Sequence, residues 1–209
     1  MAPRKPDRQN ANRGNRSSGR NATSQGMGQV RIIAGKYRGR KLPVLNAEGL
    51  RPTTDRVKET VFNWLMPYVA QSVCLDSCAG SGSLGFEALS RGAEHVTFVE
   101  LERAAARNIE ENIARLNDNQ SRVLNQNILS VNTNKPFDLV FIDPPFNRGL
   151  ASDIAIYLEQ QQMLAESAII YVETEQNFNA ALLPENWQLL KEKSAGQVVS
   201  RLYQRKLAT

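Results

Sequence analysis

With 209 residues, 41% of them hydrophobic, the chain suffices for one sizeable α/β core with a small appendage rather than for several domains. No apolar run approaches the length of a membrane span and the polar, Arg-rich amino terminus lacks a signal-peptide core; two cysteines (Cys74, Cys78) and one histidine (His95) leave no ordinary zinc site, so a soluble, cytoplasmic, metal-free protein is expected. The net charge of +5 hides an asymmetry, with 14 Lys/Arg against 3 Asp/Glu in residues 1–58 and 12 against 18 in residues 59–209, and such a basic front is the footprint of a protein that docks on a polyanion.

Residues 1–27 are rich in Asn, Ser, Gly and Arg and have almost no large apolar side chains. Burial cannot offset the entropy of ordering them, so they are predicted to be a disordered arm with six basic residues for non-specific phosphate contact. Residues 28–50 read as a basic β-hairpin, two short strands joined by a turn in which Lys36, Arg38, Arg40 and Lys41 surround Tyr37. Cations interleaved with an aromatic ring suit phosphate contact with base stacking. Residues 51–209 would form the catalytic domain. It opens on an amphipathic helix with Thr53 or Thr54 as N-cap, Asp55 in the first turn, Val57, Val61, Trp64 and Leu65 on one face, and Pro67 as its expected end. Arg51 and Arg56 flank its start as candidate polyanion contacts at the active-site edge, while capping alone would account for Thr53, Thr54 and Asp55.

From Val73 strands alternate with helices. Strands are predicted at 73–76, 95–100, 122–127, 137–142 and 168–173, helices at 83–90, 104–116 and 151–164, and a closing antiparallel pair at 187–193 and 198–204. The fold class that follows is α/β: a doubly wound, mostly parallel, seven-stranded Rossmann-like sheet with an antiparallel edge.

Two stretches carry chemistry. Phe137 to Ile142, charged only at Asp138, reads as a buried strand, and Asp143-Pro144-Pro145-Phe146 lies at its carboxyl end, where open α/β sheets bind ligands. The two prolines keep the backbone extended, so the Asp143 carboxylate and the Pro144 carbonyl form a pair of acceptors suited to an amino group. Phe146 would stack on the ring that carries it. The plain alternative is a proline-rich turn that ends a strand. The second stretch, Asp76-Ser77-Cys78-Ala79-Gly80-Ser81-Gly82-Ser83-Leu84-Gly85, contains G-x-G-x-x-G at a strand-to-helix turn, and Glu100 stands 18 residues beyond Gly82. This is also the dinucleotide fingerprint, so a nicotinamide oxidoreductase competes. Against it, Asp76 before the glycines would repel a pyrophosphate and welcome a cation, and no hydride-transfer acid or base is evident. S-adenosylmethionine, a sulfonium and ammonium compound without phosphate, fits better. The Cys78, Ala79, Gly80 and Gly82 backbone would lie along its methionine portion, Asp76 would meet its ammonium, Glu100 its ribose hydroxyls, and Asn127 its adenine, although Asn127 could equally cap the following turn.

On these residues the chain resembles the RsmD family of bacterial 16S ribosomal RNA guanine-N2 methyltransferases over about residues 29–206. The resemblance rests on Arg31-Ile32-Ile33-Ala34-Gly35 with Arg38-Gly39-Arg40, on Arg51-Pro52-Thr53-Thr54-Asp55-Arg56-Val57-Lys58-Glu59, on Leu75-Asp76 through Gly85, and on Asp143-Pro144-Pro145-Phe146. It implies methyl transfer from S-adenosylmethionine to the exocyclic amine of one guanine in the assembled small ribosomal subunit. The family commonly has an acidic residue near the end of the third strand, where this chain has Asn125-Gln126-Asn127. The Asp-Pro-Pro-aromatic motif alone is shared with DNA adenine methyltransferases, the nearest rival. A protein-glutamine methyltransferase offers no reason for the basic front, and a non-catalytic RNA-binding module would bind without turnover. Nothing suggests an obligate dimer, so a monomer is expected.

Overall fold

The computed structural model describes residues 28–45, 55–146 and 149–207; the predicted arm, Arg51 and the Thr53/Thr54 cap lie outside them. Strands β1 (Gly28–Arg31) and β2 (Lys41–Val44) form a two-stranded antiparallel ribbon. There follow α1 (Asp55–Val69), β3 (Val73–Asp76), α2 (Ser83–Ser90), β4 (His95–Val99), α3 (Arg103–Leu116), β5 (Ser121–Leu124), β6 (Phe137–Ile142), α4 (Leu150–Gln160), β7 (Leu164–Glu175), β8 (Trp187–Ala195) and β9 (Val198–Arg205).

Strands β3 to β9 make one seven-stranded sheet in the order β5-β4-β3-β6-β7-β9-β8, parallel from β5 to β7, with β9 antiparallel to β7 and β8 antiparallel to β9. The chain winds outward from β3 through β4 to β5, then returns to β6 on the other side of β3. The crevice at the carboxyl ends of β3 and β6 is therefore the switch point where this class of sheet receives ligands. Alternation divides the core: Phe62, Phe86, Phe98, Phe141 and Tyr171 pack on the α1 and α2 side, and Leu75, Val140, Ile142, Ile154 and Leu158 on the α4 side. The lone charge of β6 has a use, since Asp138 Oδ2 accepts the Val73 N–H at 2.9 Å where the neighbouring strand begins.

Some boundaries differ from expectation. Helix α1 continues past Pro67 to Val69, because a proline this near the helix end costs one ladder bond while Leu65 and Val69 on either side are buried. Helix α4 stops at Gln160 rather than Leu164: Gln162 adopts φ 53° and turns the chain into β7. Strand β7 extends beyond Glu173 to Glu175 because β9 pairs with it to that point. Strand β5 ends at Leu124, short of Asn127, whose side-chain oxygen accepts the Leu129 N–H at 3.0 Å and caps a 3-10 turn over Ile128–Ser130.

The ribbon is fastened to the body. Ile32 and Leu42 join the α1/α2 half of the core. The fully buried carboxylate of Glu87 accepts from Ile33 N at 2.7 Å, Ala34 N at 3.0 Å and Arg91 Nε at 2.7 Å. Buried Lys58 donates to the Arg31 carbonyl and lies 3.6 Å from Asp55. Lys36 N donates to the Ser90 carbonyl at 2.7 Å, and the approach requires glycine at 35, where φ is +81° and a Cβ would sit 1.8 Å from that carbonyl oxygen.

Candidate active site

Strand alternation and register build the site. Phe98, Cys74, Phe141 and Tyr171 lie on the same face of four adjacent strands, β4, β3, β6 and β7. Two residues further along each strand on that face come Glu100, Asp76, Asp143 and Glu173. Asp76 pairs with Phe98 on one side and Phe141 on the other, and Phe141 pairs with Tyr171. Asp76 is thus one pleat deeper than the other three. It forms the floor, 2% exposed, and the half-buried Glu100, Asp143 and Glu173 stand at the rim, with neighbouring strands about 4.8 Å apart.

The glycine turn brackets this row. Ser77 N and Oγ both donate to the Phe141 carbonyl, at 3.1 and 2.7 Å, tying the turn to β6, and Ala79 N donates to the Val99 carbonyl at 2.9 Å, tying it to β4. Gly80 (φ 52°) and Gly82 (φ 73°) take the left-handed conformation. At Gly85 a Cβ would lie 2.2 Å from the Phe98 ring, so glycine is what lets α2 pack on β4. Gly80 N and Glu102 N donate to the two oxygens of Glu100 at 2.7 and 2.8 Å, and each oxygen keeps a second lone pair for a further donor.

The electrostatics are those of clustered acids. Burial raises Asp76 from 3.8 to about 7, the Gly85 N–H at 3.0 Å opposing and Glu100 adding to the rise. Burial, then Glu173 and Asp76, hold Asp143 well above the usual carboxylate range. Cys78 lies among Asp76, Asp143 and Glu100; burial and these acids push its thiol up to about 12, so it is a poor nucleophile. Among the described residues, the charged groups that act on these three are all acids. A carboxyl whose folded pKa is raised contributes stability at low pH that is lost as pH rises through the folded value. Unfolding by urea at pH 5 and pH 8 is therefore expected to show lower stability at pH 8. Asp76→Asn should remove part of that difference, at most about 3 kcal/mol, because only the roughly two pH units from pH 5 to the folded value of about 7 fall inside the compared window; an unchanged pH dependence in the variant excludes Asp76 as its source.

Asp76, Cys78, Ala79, Gly80, Gly82, Glu100, Asp143, Pro144, Pro145 and Phe146 are all at this crevice. Phe146 is half-buried in the turn after β6, and a small hollow beside the prolines is lined by Pro144, Pro145, Leu150, Glu173, Thr174 and Phe178. Asn127 is exposed beyond β5 in its capping role. Glu173 joins the expected residues at the rim; its signal in the sequence is its place at the end of the fifth predicted strand, where the same alternation applies. The Ser83 hydroxyl, buried at the start of α2 without a hydrogen-bond partner among the described residues, is a further polar group that motif spacing does not mark.

The basic positions divide. Arg56 is exposed in the first turn of α1, at the sheet's carboxyl edge. The ribbon turn lies at the opposite edge, against the last residue of α2 and the residues before β5. There Lys36 Nζ donates to Gln120 at 2.6 Å and sits 3.5 Å from Asp118, the Tyr37 hydroxyl donates to Asp118 at 3.1 Å, and Arg40 donates to the Arg115 carbonyl at 2.8 Å. Burial and then Asp118 raise the Tyr37 pKa. Arg38 and Lys41 are exposed. Among the described residues no helix is long and apolar enough to cross a membrane, and no cluster of His, Cys, Asp and Glu is arranged to hold a metal ion.

Residues 30–204 match the family model described as Conserved hypothetical protein 95. The chain is 55% identical over 188 residues to ribosomal RNA small subunit methyltransferase D of Haemophilus influenzae, an alignment that covers 87% of this chain and 97% of that protein. It is 51% identical over 182 residues to the protein of that name from Escherichia coli, covering 86% and 92%. Among solved structures it is similar to the putative methyltransferase yhhF from Escherichia coli, with a TM-score of 0.79 and 50% identity over 87% of this chain and 100% of that one.

Proposed function

This chain belongs to the Conserved hypothetical protein 95 family, that of ribosomal RNA small subunit methyltransferase D, and from that premise we propose that it transfers a methyl group from S-adenosylmethionine to the exocyclic N2 of one guanine of 16S ribosomal RNA, acting as a monomer on the assembled small subunit. The observation that carries the proposal is the acidic floor and rim at the switch point, beside a proline-fixed acceptor pair. A pyrophosphate would be repelled there, whereas a ligand bearing an ammonium and a sulfonium would be attracted.

The donor set fits S-adenosylmethionine. Asp76 would bind the ammonium, which would also favour its ionised form; Glu100 would accept from the ribose hydroxyls; the Cys78 to Gly82 backbone would lie along the methionine portion; and the Asn127 amide would reach the adenine. Bound there, the cofactor would supply an electrophilic methyl group. Asp143 and the Pro144 carbonyl would accept the two N–H bonds of the guanine amine, turning its nitrogen toward that methyl and stabilising the positive charge that develops on it. Pro145 would hold the backbone in register, Phe146 would stack on a base swung out of its helix, and Asp143 would receive the proton or pass it to water.

The test is a labelled-methyl assay on unmethylated small subunits, free 16S rRNA and duplex DNA, followed by identification of the modified nucleoside. N2-methylguanosine formed on subunits is the expected product. N6-methyladenine in DNA, or no transfer to any of the three, overturns the reading.

Lys36, Tyr37, Arg38, Arg40 and Lys41 would dock on rRNA at a distance from the modified base, with Arg56 nearer to it and Arg51 as a further candidate contact. Because the exposed cations would act on the backbone, Arg38→Ala with Lys41→Ala is expected to raise KM with little change in kcat. It should also reduce the slope of log affinity against log salt by about 1.5. An unchanged affinity and slope would show that the ribbon is not the docking surface.

A further inference from the structure

Of the four acids at the crevice, Glu100, Asp76 and Asp143 have roles in the proposed reaction, while Glu173 has none. Its placement is specific. Phe141 and Tyr171 are paired residues of β6 and β7, so two residues on, Asp143 and Glu173 stand level on the same face of adjacent strands. The Tyr171 hydroxyl, on a side chain that is fully buried, donates to Glu173 Oε2 at 2.7 Å and is itself within 3.0 Å of Ser200 Oγ. A buried phenol anchored on β9 thus sets the position of a rim carboxylate next to the amine-gripping residue. Mutual repulsion between Asp143 and Glu173 is among the causes that raise Asp143, as adjacency requires.

We infer that Glu173 selects the base: it accepts the ring N1–H of guanine while Asp143 and the Pro144 carbonyl hold the neighbouring 2-amino group. The inference rests on the guanine-N2 reading above and adds the specificity element to it. Guanine presents N1–H and N2–H₂ as adjacent donors on one edge, a match for two carboxylates side by side. Adenine placed with its amine in the same cradle presents a bare N1 lone pair to Glu173, which repels it. Tyr171 is a positioning residue, since it acts through Glu173 and is buried away from the ligand.

The experiment uses the full chain with S-adenosylmethionine and two substrates: small subunits with the guanine that the wild type methylates, and subunits in which that guanine is replaced by adenine. Glu173→Gln offers an amide N–H to adenine N1 while keeping an oxygen for guanine N1–H. It should lower kcat/KM on the guanine substrate by about tenfold and reduce the guanine-to-adenine preference by a factor of about 100 or more. Glu173→Ala should lose about 100-fold on guanine, and Tyr171→Phe a smaller amount, mainly in KM. Thermal midpoints and S-adenosylmethionine affinity of each variant serve as folding controls, with cofactor affinity expected within twofold of wild type. A purely structural role for Glu173 would lower activity on both substrates in the same proportion, and that result, or wild-type preference in Glu173→Gln, overturns the inference. Failure of the wild type to methylate guanine overturns the underlying reading instead, so the two failures are separable.

Discussion

Asp143→Ala is expected to lower methyl transfer to small subunits by about a thousandfold while S-adenosylmethionine binding stays within about twofold of wild type. The amine of guanine is a weak nucleophile because its lone pair is delocalised into the ring, so in the proposed reaction the carboxylate would contribute where charge develops, at the nitrogen in the transition state. The proposed cofactor side of the crevice is built from other residues, Asp76, Glu100 and the glycine turn, which the substitution leaves in place. Asp143→Asn retains one acceptor oxygen without the charge and should fall between the two, at roughly 30- to 100-fold loss. Since burial, Glu173 and Asp76 raise Asp143 well above its ordinary pKa, the wild-type rate should climb with pH as the group ionises. Single-turnover rates and equilibrium cofactor titration check both statements, and an alanine variant that turns over at the wild-type rate removes Asp143 from the reaction.

The second large effect concerns stability. Glu87→Ala is expected to destabilise the fold by about 3–5 kcal/mol, the range for breaking a buried charge pair and leaving its partners behind. Three donors lose their acceptor at once, the Ile33 and Ala34 amides and Arg91 Nε. Lys58, whose pKa burial already lowers against the opposing pull of Asp55 and Glu87, loses one of the two carboxylates that offset that burial. Glu87→Gln, which keeps an acceptor oxygen, should recover part of the loss. Urea unfolding gives the magnitude, and amide hydrogen exchange gives the location: protection should fall first at Ile33, Ala34 and Lys36, where the ribbon meets α2. A loss below about 1 kcal/mol would mean that Ile32 and Leu42 hold the ribbon without the carboxylate.

That fastening changes what the basic front means. The signature Arg31 to Gly35 has a structural use, since the peptide groups of Ile33, Ala34 and Lys36 close onto Glu87 and Ser90 and Gly35 is required by close approach. The ribbon turn lies a sheet's length from Asp143, roughly 20 Å for strands of this size. In the proposed reaction docking and chemistry would thereby be separated, which suits a substrate far larger than a nucleotide.

Much was legible in the residues themselves. The strand–helix alternation from Val73, the buried strand before Asp143, the glycine turn after Asp76 and the closing antiparallel pair all have local causes: side-chain period, proline's fixed φ, and glycine's access to positive φ. The errors were local competitions too. Pro67 was outweighed by the burial of Leu65 and Val69, and Asn127 went to a cap instead of extending β5. Other features depended on partners far away in the chain. Strand order and register set Asp76 one pleat below its neighbours and Glu173 level with Asp143. Contacts such as Ile33 with Glu87 and Lys36 with Gln120, 54 and 84 residues apart, carried the basic turn to the opposite edge. Local residue patterns assign chemical groups to the ends of particular strands, because turns and periodicity are short-range. Which of those ends become neighbours depends on the folded sheet, because adjacency there is a property of pairing between distant segments.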